Sequence, residues 1–114
     1  EMTKGVHVRF YNNLGMVESE LRSNYAVSHE NTDIMEAKEN VIVVNKKGET
    51  LNTEHLIWEE KTEKIHTEEF VKITTEDEVI FGHGFESNQD FTKYKIKKIK
   101  GTIDLKDAES TESP

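Results

Sequence analysis

The chain has 114 residues, no cysteine and a formal net charge of −8, with 23 acidic against 15 basic side chains. This length allows one domain, and the lack of thiols excludes a disulfide framework, a thiolate nucleophile and a Cys-ligated zinc site. The acidic surface disfavours nucleic-acid binding. Only 33% of the residues are hydrophobic, below the usual ~45–50%, a figure that includes glycine, so the core must be thin, as in a single curved sheet or two facing sheets.

The N-terminal part of the chain predicts strands and turns. Val6, Val8 and Phe10 alternate with other residues at period two, which is typical of a half-buried strand. Residues 12–15, Asn-Asn-Leu-Gly, tolerate positive φ and predict a turn. The β-branched run 40–44 is followed directly by another polar turn and therefore indicates a short strand.

Residues 55–72 could form one helix or two strands joined by a turn. A helix would need an apolar residue near position 61 or 62, where Lys61 and Thr62 stand. The polar run 59–64 favours a hairpin connection, and we therefore expect strand, turn and strand. The same spacing over the whole chain predicts roughly nine or ten short strands in an all-β meander.

The sequence also repeats itself every thirty residues, since Val41 and Val43 recur as Val71 and Ile73. A fixed period of this length indicates a stacked supersecondary unit, in which each repeat buries its apolar face against its neighbours. The repeat favours strands for residues 55–72, because the equivalent segment thirty residues earlier has strand character.

The apolar pattern stops after Ile103, and residues 105–114 are mostly polar, acidic and rich in Ser and Thr. We therefore expect one domain over residues 1–104 and a disordered acidic tail over 105–114. No apolar run reaches the roughly 18 residues of a membrane-spanning helix. The sequence begins at Glu1, and we expect an upstream segment such as a signal peptide or a membrane anchor.

No catalytic or metal-binding pattern is evident. The five histidines form no tight group, none is spaced i, i+4 on a helix, and we expect neither a metal nor a cofactor. No pair among the 23 carboxylates can be singled out for acid–base catalysis. Gly82-His83-Gly84 lacks the third glycine of a dinucleotide site and instead predicts a bulge or a close backbone approach. An enzyme is therefore not expected.

The apolar side chains of one strand parity are the best candidates for function. They would line the inner surface of the stacked repeats, where an open furrow suits an acyl chain, while unpaired strand edges suit β-augmentation by another chain. The alternative is that these side chains form only a core. The candidate groove residues are Val8, Phe10, Val41, Val43, Trp58, Ile65, Val71, Ile73, Phe81 and Phe85.

Several runs together resemble a known family. Residues 40–58 contain Asn-Val-x-Val-Val and then Gly-x-x-Leu-x-Thr-Glu-x-Leu-x-Trp, and residues 64–73 contain Lys-Ile-x-Thr and Val-x-Ile. These runs resemble the OstA-like repeat of lipopolysaccharide-transport proteins. The run Val-x-Phe-Gly-x-Gly-Phe-Glu-Ser at 79–87 is similar to the LptC family, and Phe91, Tyr94 and residues 101–103 are similar to its Bacteroidetes-type members.

The resemblance implies a non-catalytic protein with an antiparallel β-jellyroll that is open along one side. In that family lipopolysaccharide acyl chains lie in an apolar groove. LptC receives the lipid from the inner-membrane ABC transporter, whose subunits are LptF and LptG, and passes it to the bridge protein LptA. The resemblance also implies a periplasmic location with a tether to the inner membrane. The family's N-terminal transmembrane helix would then lie outside this sequence.

The resemblance also implies two edges at which partners bind. The strand around Val6 to Phe10 would abut the jellyroll domains of the transporter subunits, and the strand from Tyr94 to Ile103 would pair edge-on with LptA. The candidate partner-edge residues are Val6, Val8, Tyr94, Ile96, Ile99 and Ile103. Two alternatives stay open: a free LptA-like bridge protein, and a structural adaptor with a closed core that joins its partners by strand edges alone.

Overall fold

A computed structural model describes residues 2–29 and 31–105 of the chain. These residues form one seven-stranded antiparallel sheet in which each strand pairs with the next along the chain. The strands are β1 (Met2–Tyr11), β2 (Val17–His29), β3 (Ile34–Asn45), β4 (Thr50–Glu59), β5 (Lys64–Thr74), β6 (Glu78–Asn88) and β7 (Tyr94–Asp104). The all-β fold with an open antiparallel sheet is therefore confirmed. The predicted tail lies outside the described residues from position 106 onward.

The strands are fewer and longer than predicted, because irregularities interrupt their alternation near the middle. On β3 the inward positions pass from Ala37 to Val41, and on β4 they pass from Thr53 to Leu56. The register shifts between these positions, and Glu39 has a positive φ of 65°. Such bulges bend a strand and increase its twist. Each half of an interrupted strand looks like a separate short strand in the sequence, so the prediction of nine or ten strands was wrong.

The thirty-residue repeat corresponds to a unit of two strands. β3, β5 and β7 begin at positions 34, 64 and 94. Asp33 and Glu63, which directly precede β3 and β5, have nearly the same positive φ of 53° and 56°. The period therefore records one strand, its turn and the returning strand, and the stacked supersecondary unit that it predicted is a β-hairpin.

The core lies on one face of the sheet, which we call the inner face. Its buried apolar side chains are Phe10, Leu21, Ala37, Val41, Val43, Leu51, Leu56, Ile65, Val71, Ile73, Phe85 and Phe91. Full burial of a large apolar side chain stabilises a fold by about 1.5–3 kcal/mol. The inner face therefore provides most of the driving force that holds the sheet in its bent shape.

The two glycines of β6 allow β7 to approach closely. A Cβ at Gly82 would lie 2.5 Å from Ile96 Cγ2 and 2.7 Å from the Lys98 carbonyl oxygen. Gly84 has a φ of 80°, a conformation that favours glycine. The bulge and the close backbone approach predicted for this pair are both present, and they place Ile96 against the inner face.

Candidate lipid groove and partner edges

Nine of the ten predicted groove residues lie on the inner face. Val8 and Trp58 are partly buried against the core, and seven others belong to it. These seven are Phe10, Val41, Val43, Ile65, Val71, Ile73 and Phe85. Val43 is paired with Leu51, and Leu51 with Ile73, so the apolar side chains continue from β3 through β4 to β5. The strand parity seen in the sequence therefore does collect these side chains on one surface.

Phe81 is the exception, and its predicted place on the inner face was wrong. It pairs with the exposed Lys72, on the outer face of the sheet. Its ring stacks on that of Phe70, with the centroids 6.0 Å apart. The irregularity at Gly84 is the cause, because it changes the inward parity of β6 before Phe85 is reached.

The inner face is filled along the middle of the sheet. The groove residues with no exposed surface are Val41, Val43, Ile65, Val71, Ile73 and Phe85. Protein interiors are packed as closely as organic crystals, so an acyl chain cannot enter this space unless a side chain or a segment moves. In this conformation the central strands offer a closed core rather than an open furrow.

Apolar surface of the inner face is accessible nearer the two edge strands. Val8 on β1 and Tyr94 and Ile96 on β7 are only partly buried. Burial raises the pKa of the Tyr94 phenol, and the carboxylates of Glu49 and Glu78 raise it further. Accessible apolar surface therefore lies along β1 and β7, and also at Trp58 near the end of β4 and at Ile80 on β6.

The six predicted partner-edge residues lie on the two edge strands of the described sheet. Val6 and Val8 lie on β1, and Tyr94, Ile96, Ile99 and Ile103 lie on β7. Ile99 and Ile103 are exposed by 62% and 51%. An unpaired edge with exposed isoleucines is suited to the addition of a strand from another chain.

Phe91 completes the inner face. From the sequence it was identified only among the residues that carry the family resemblance. It lies in the segment 89–93 between β6 and β7, which we call the closing loop, and it is fully buried with a φ of 57°. Its ring packs edge-on against Phe85 at 5.7 Å and lies 5.0 Å from the ring of Tyr94. Its carbonyl oxygen accepts a hydrogen bond of 2.7 Å from Asn45 Nδ2.

Gln89 joins the closing loop to distant parts of the sheet. Its carbonyl oxygen accepts a 2.8 Å hydrogen bond from Ser19 Oγ on β2. Its side-chain Oε1 accepts a 3.1 Å hydrogen bond from Trp58 Nε1 on β4. Its backbone N–H donates to the Glu63 carbonyl oxygen at 2.9 Å. The closing loop therefore connects the last hairpin to β2, β4 and the turn that follows β4.

The outer face carries paired histidines that the sequence did not predict. His29 is hydrogen-bonded to Glu36 at 2.5 Å, and His66 is hydrogen-bonded to Glu59 at 2.5 Å. These pairs stand thirty residues apart in the sequence with the two residue types exchanged. His55 also bonds Glu36, and the hydrogen bonds from His55 and His29 lower the pKa of Glu36.

Over the ranges 2–29 and 31–105, no three or more His, Asp or Glu side chains are grouped so as to hold a metal ion. No helix in the same ranges is long and apolar enough to cross a membrane. The surfaces that these ranges do offer are a continuous apolar inner face, a loop inserted into it, and two unpaired strand edges.

A family model described as "Lipopolysaccharide-assembly, LptC-related" matches residues 2–104. The match includes all seven strands, from the edge strand β1 to the edge strand β7. A search of curated proteins found no match to the chain.

Proposed function

The chain belongs to the LptC-related family of lipopolysaccharide-assembly proteins, and from this premise we propose that it carries lipopolysaccharide along its inner face. The family is a periplasmic transport component and not an enzyme family. In the proposed role the protein receives lipid from the inner-membrane ABC transporter and passes it to the LptA bridge, while ATP hydrolysis elsewhere drives the movement.

The observation that supports lipid carriage best is the unbroken apolar inner face. It runs from Val8 on β1 to Ile96 on β7, and it is accessible at both ends. Burial of each CH₂ of an acyl chain is worth about 0.8 kcal/mol. Apolar contact can therefore hold the lipid although the net charge of −8 would repel its phosphates.

The two edge strands are the proposed partner sites. β1, with Val6 and Val8, would abut the jellyroll domains of LptF and LptG, and β7, with Ile99 and Ile103, would pair with LptA. The exposure of both isoleucines supports the second assignment, because a free apolar edge is otherwise an aggregation risk.

Tethering to the inner membrane is a further part of the proposal, by a segment outside residues 1–114. A free LptA-like bridge protein would have no such segment. The coding sequence upstream of Glu1 distinguishes the two, since a single encoded transmembrane helix supports the tethered form and its absence supports the bridge.

The filled centre of the sheet favours a second candidate, a structural adaptor that joins its partners by strand pairing alone. Val41, Val43 and Ile73 leave no room for a ligand in this conformation. The adaptor and the lipid carrier make the same prediction for the strand edges and different predictions for lipid contact.

Photo-crosslinking in cells separates these two functions. A benzophenone amino acid replaces Trp58 or Tyr94 on the inner face and, as matched aromatic controls, Phe70 or Phe81 on the outer face. Lipid carriage predicts that lipopolysaccharide is captured at the two inner positions and not at the outer ones. Equal capture at all four positions contradicts the groove, and capture at none supports the adaptor.

Edge pairing has its own test. Ile99→Asp places a charge on the β7 edge. It is expected to abolish co-purification with LptA while leaving the transporter complex intact. The control Val6→Asp on β1 is expected to have the opposite effect. Loss of both partners in both variants would indicate unfolding and would be recognised by circular dichroism, whereas retention of both would contradict the edge assignment.

A further inference from the structure

We propose that the closing loop is a displaceable plug, and that the space filled by Phe91 is the site that an acyl chain enters. This inference rests on the proposed lipid-carrying function. It answers the difficulty that the inner face has no vacant volume along its central strands. A ligand can enter only if some buried group leaves, and Phe91 is the group that can leave with the least disturbance.

Phe91 is the one member of the buried apolar cluster that does not lie on a strand. To withdraw Val43 or Ile73, a central strand would have to separate from both neighbours and lose its ladder hydrogen bonds. To withdraw Phe91, only the segment between Asn88 and Tyr94 has to move, and the β6–β7 ladder begins beyond it, at the pair of Ser87 and Tyr94.

The closing loop has a strained backbone, and contacts with other strands hold it in the inserted conformation. The φ of 57° at Phe91 lies in a region that bulky residues avoid. Hydrogen bonds from Asn45, Ser19 and Trp58, all far away in the sequence, hold the loop in this state. Withdrawal would relieve the backbone strain while breaking these three bonds and the bond from the Gln89 N–H to the Glu63 carbonyl oxygen, which is the balance expected of a two-state element.

The site left by Phe91 matches the chemistry of an acylated lipid. Its walls would include the rings of Phe85 and Tyr94, which now contact Phe91. Two donors, Asn45 Nδ2 and Ser19 Oγ, would lose their acceptors in the loop. Both can donate to the ester or amide carbonyl that links an acyl chain to its sugar, so the chain would enter the apolar space and its linkage would satisfy the donors.

Trp58 provides one of two reporters for this movement. It is the only tryptophan of the chain. Its indole N–H donates to Gln89 Oε1, and its ring lies edge-on to Phe10 with centroids 4.8 Å apart. Displacement of the closing loop would remove the acceptor of this N–H and would therefore change the emission of Trp58. Because lipid in contact with Trp58 on the inner face would change the emission as well, amide exchange at residues 89–93 is the measurement that identifies the loop movement.

The experiment titrates the protein with Kdo2-lipid A and follows both lipid retained by the immobilised protein and the emission of Trp58. The expected result is that both curves share one midpoint and that residues 89–93 exchange amide hydrogens faster when lipid is bound. Phe91→Ala removes the competing side chain and is expected to bind the lipid about tenfold more tightly or better. The control Phe70→Ala, on the outer face, is expected to leave the affinity unchanged.

The outcomes separate the plug from the function on which it rests. Lipid binding with unchanged exchange at 89–93 would overturn the plug and leave lipid carriage standing, whether or not the emission of Trp58 changes. No lipid retained by the wild type or by either variant would overturn both. A Trp58 response to an LptA edge-strand peptide and not to lipid would overturn the acyl occupant. If Phe91→Ala does not fold, the wild-type titration and exchange measurements still decide.

Discussion

The turns after β4 and β6 are equivalent in the thirty-residue repeat, yet only the second of them reaches the core. Lys61 is an exposed turn residue, while Phe91, thirty residues later, is fully buried. The paired residues Glu59 and Lys64 enclose positions 60–63, whereas Ser87 and Tyr94 enclose positions 88–93. The three hairpins of the repeat are β2–β3, β4–β5 and β6–β7, and the longer connection gives the third of them enough chain to fold inward. The repeated hairpins form the sheet. The longer connection after β6, which departs from the repeat, places Phe91 in the core of the inner face.

The residues that flank these turns show the same difference. The first two hairpins carry a histidine–glutamate pair on the outer face, His29 with Glu36 and Glu59 with His66. The equivalent position in the third hairpin is Gln89, and its side chain instead accepts a hydrogen bond from the indole of Trp58. Glu59 thus makes a partly exposed contact with His66, whereas the neutral amide of Gln89 makes a contact that holds the closing loop.

The largest expected effect is that of shortening the inserted side chain. Phe91→Ala should lower the free energy of unfolding by about 3–5 kcal/mol, because it removes a buried aromatic ring. Lys61→Ala at the equivalent position should change it by less than about 0.5 kcal/mol, since Lys61 makes only a long exposed ion pair of 3.7 Å with Asp33. Urea denaturation measures both, and similar losses would show that the two turns do not differ in the way described.

A smaller loss of stability is expected from a substitution at Gly82, where β7 packs closely against β6. Gly82→Ala should cost about 1–3 kcal/mol through overpacking, because a Cβ would meet the Lys98 carbonyl oxygen at 2.7 Å. Gly101→Ala on β7 is the matched control, since a Cβ there meets nothing within 4 Å. That control should be neutral or stabilising by about 0.5–1 kcal/mol. A Gly82→Ala protein as stable as wild type in thermal unfolding would contradict the close approach of β7.

The link between Asn45 and the closing loop can be separated from the local role of that asparagine. Asn45→Ala should cost about 1–3 kcal/mol, because it removes a buried hydrogen bond to the Phe91 carbonyl oxygen as well as two turn bonds and a bond to Glu49 Oε1. Asn12→Ala removes a matching set of two turn bonds and a bond to Glu18 Oε1, with no bond to the closing loop, and should cost about 0.5–1.5 kcal/mol. Equal values in urea denaturation would mean that the bond to the loop adds nothing.

The smallest effect concerns the outer-face pairs of the regular hairpins. The lowered pKa of Glu36 means that the folded state favours the carboxylate. This stabilisation is therefore present above the ordinary value of 4.5 and is lost as the pH falls below it. Glu36→Gln should reduce stability by less than about 1 kcal/mol near neutral pH, and its difference from wild type should vanish at the acidic end. Thermal melts of the wild type and of Glu36→Gln across pH measure this difference.

Much of the fold could be predicted because strand alternation is a local signal. The strand through Val6 and Phe10 and the hairpin connection between Trp58 and Ile65 are both present. The number of strands and the face of Phe81 could not be predicted in the same way. They depend on where a strand takes an extra residue relative to its neighbour, and that is decided by pairing across strands.

The candidate site likewise contains one part that the sequence predicts and one part that it does not. Residues such as Val43 and Ile73 reach the inner face because their parity places them there, so the sequence could identify them. The closing loop could not be identified, since Ser19 and Gln89 stand seventy residues apart and no periodic pattern connects them. An apolar residue at 91, where the equivalent turn has Lys61, was the one local sign of it.

The sequence by itself determined a repeating, two-strand unit with one apolar face and membership of a family that moves lipopolysaccharide. These properties follow from short-range spacing, which each hairpin expresses on its own. Only the tertiary structure decided that the apolar face is filled at its centre, accessible near its edges and closed by Phe91. Those properties arise when a bent sheet brings distant segments together, and the order of residues along the chain does not show which segments will meet.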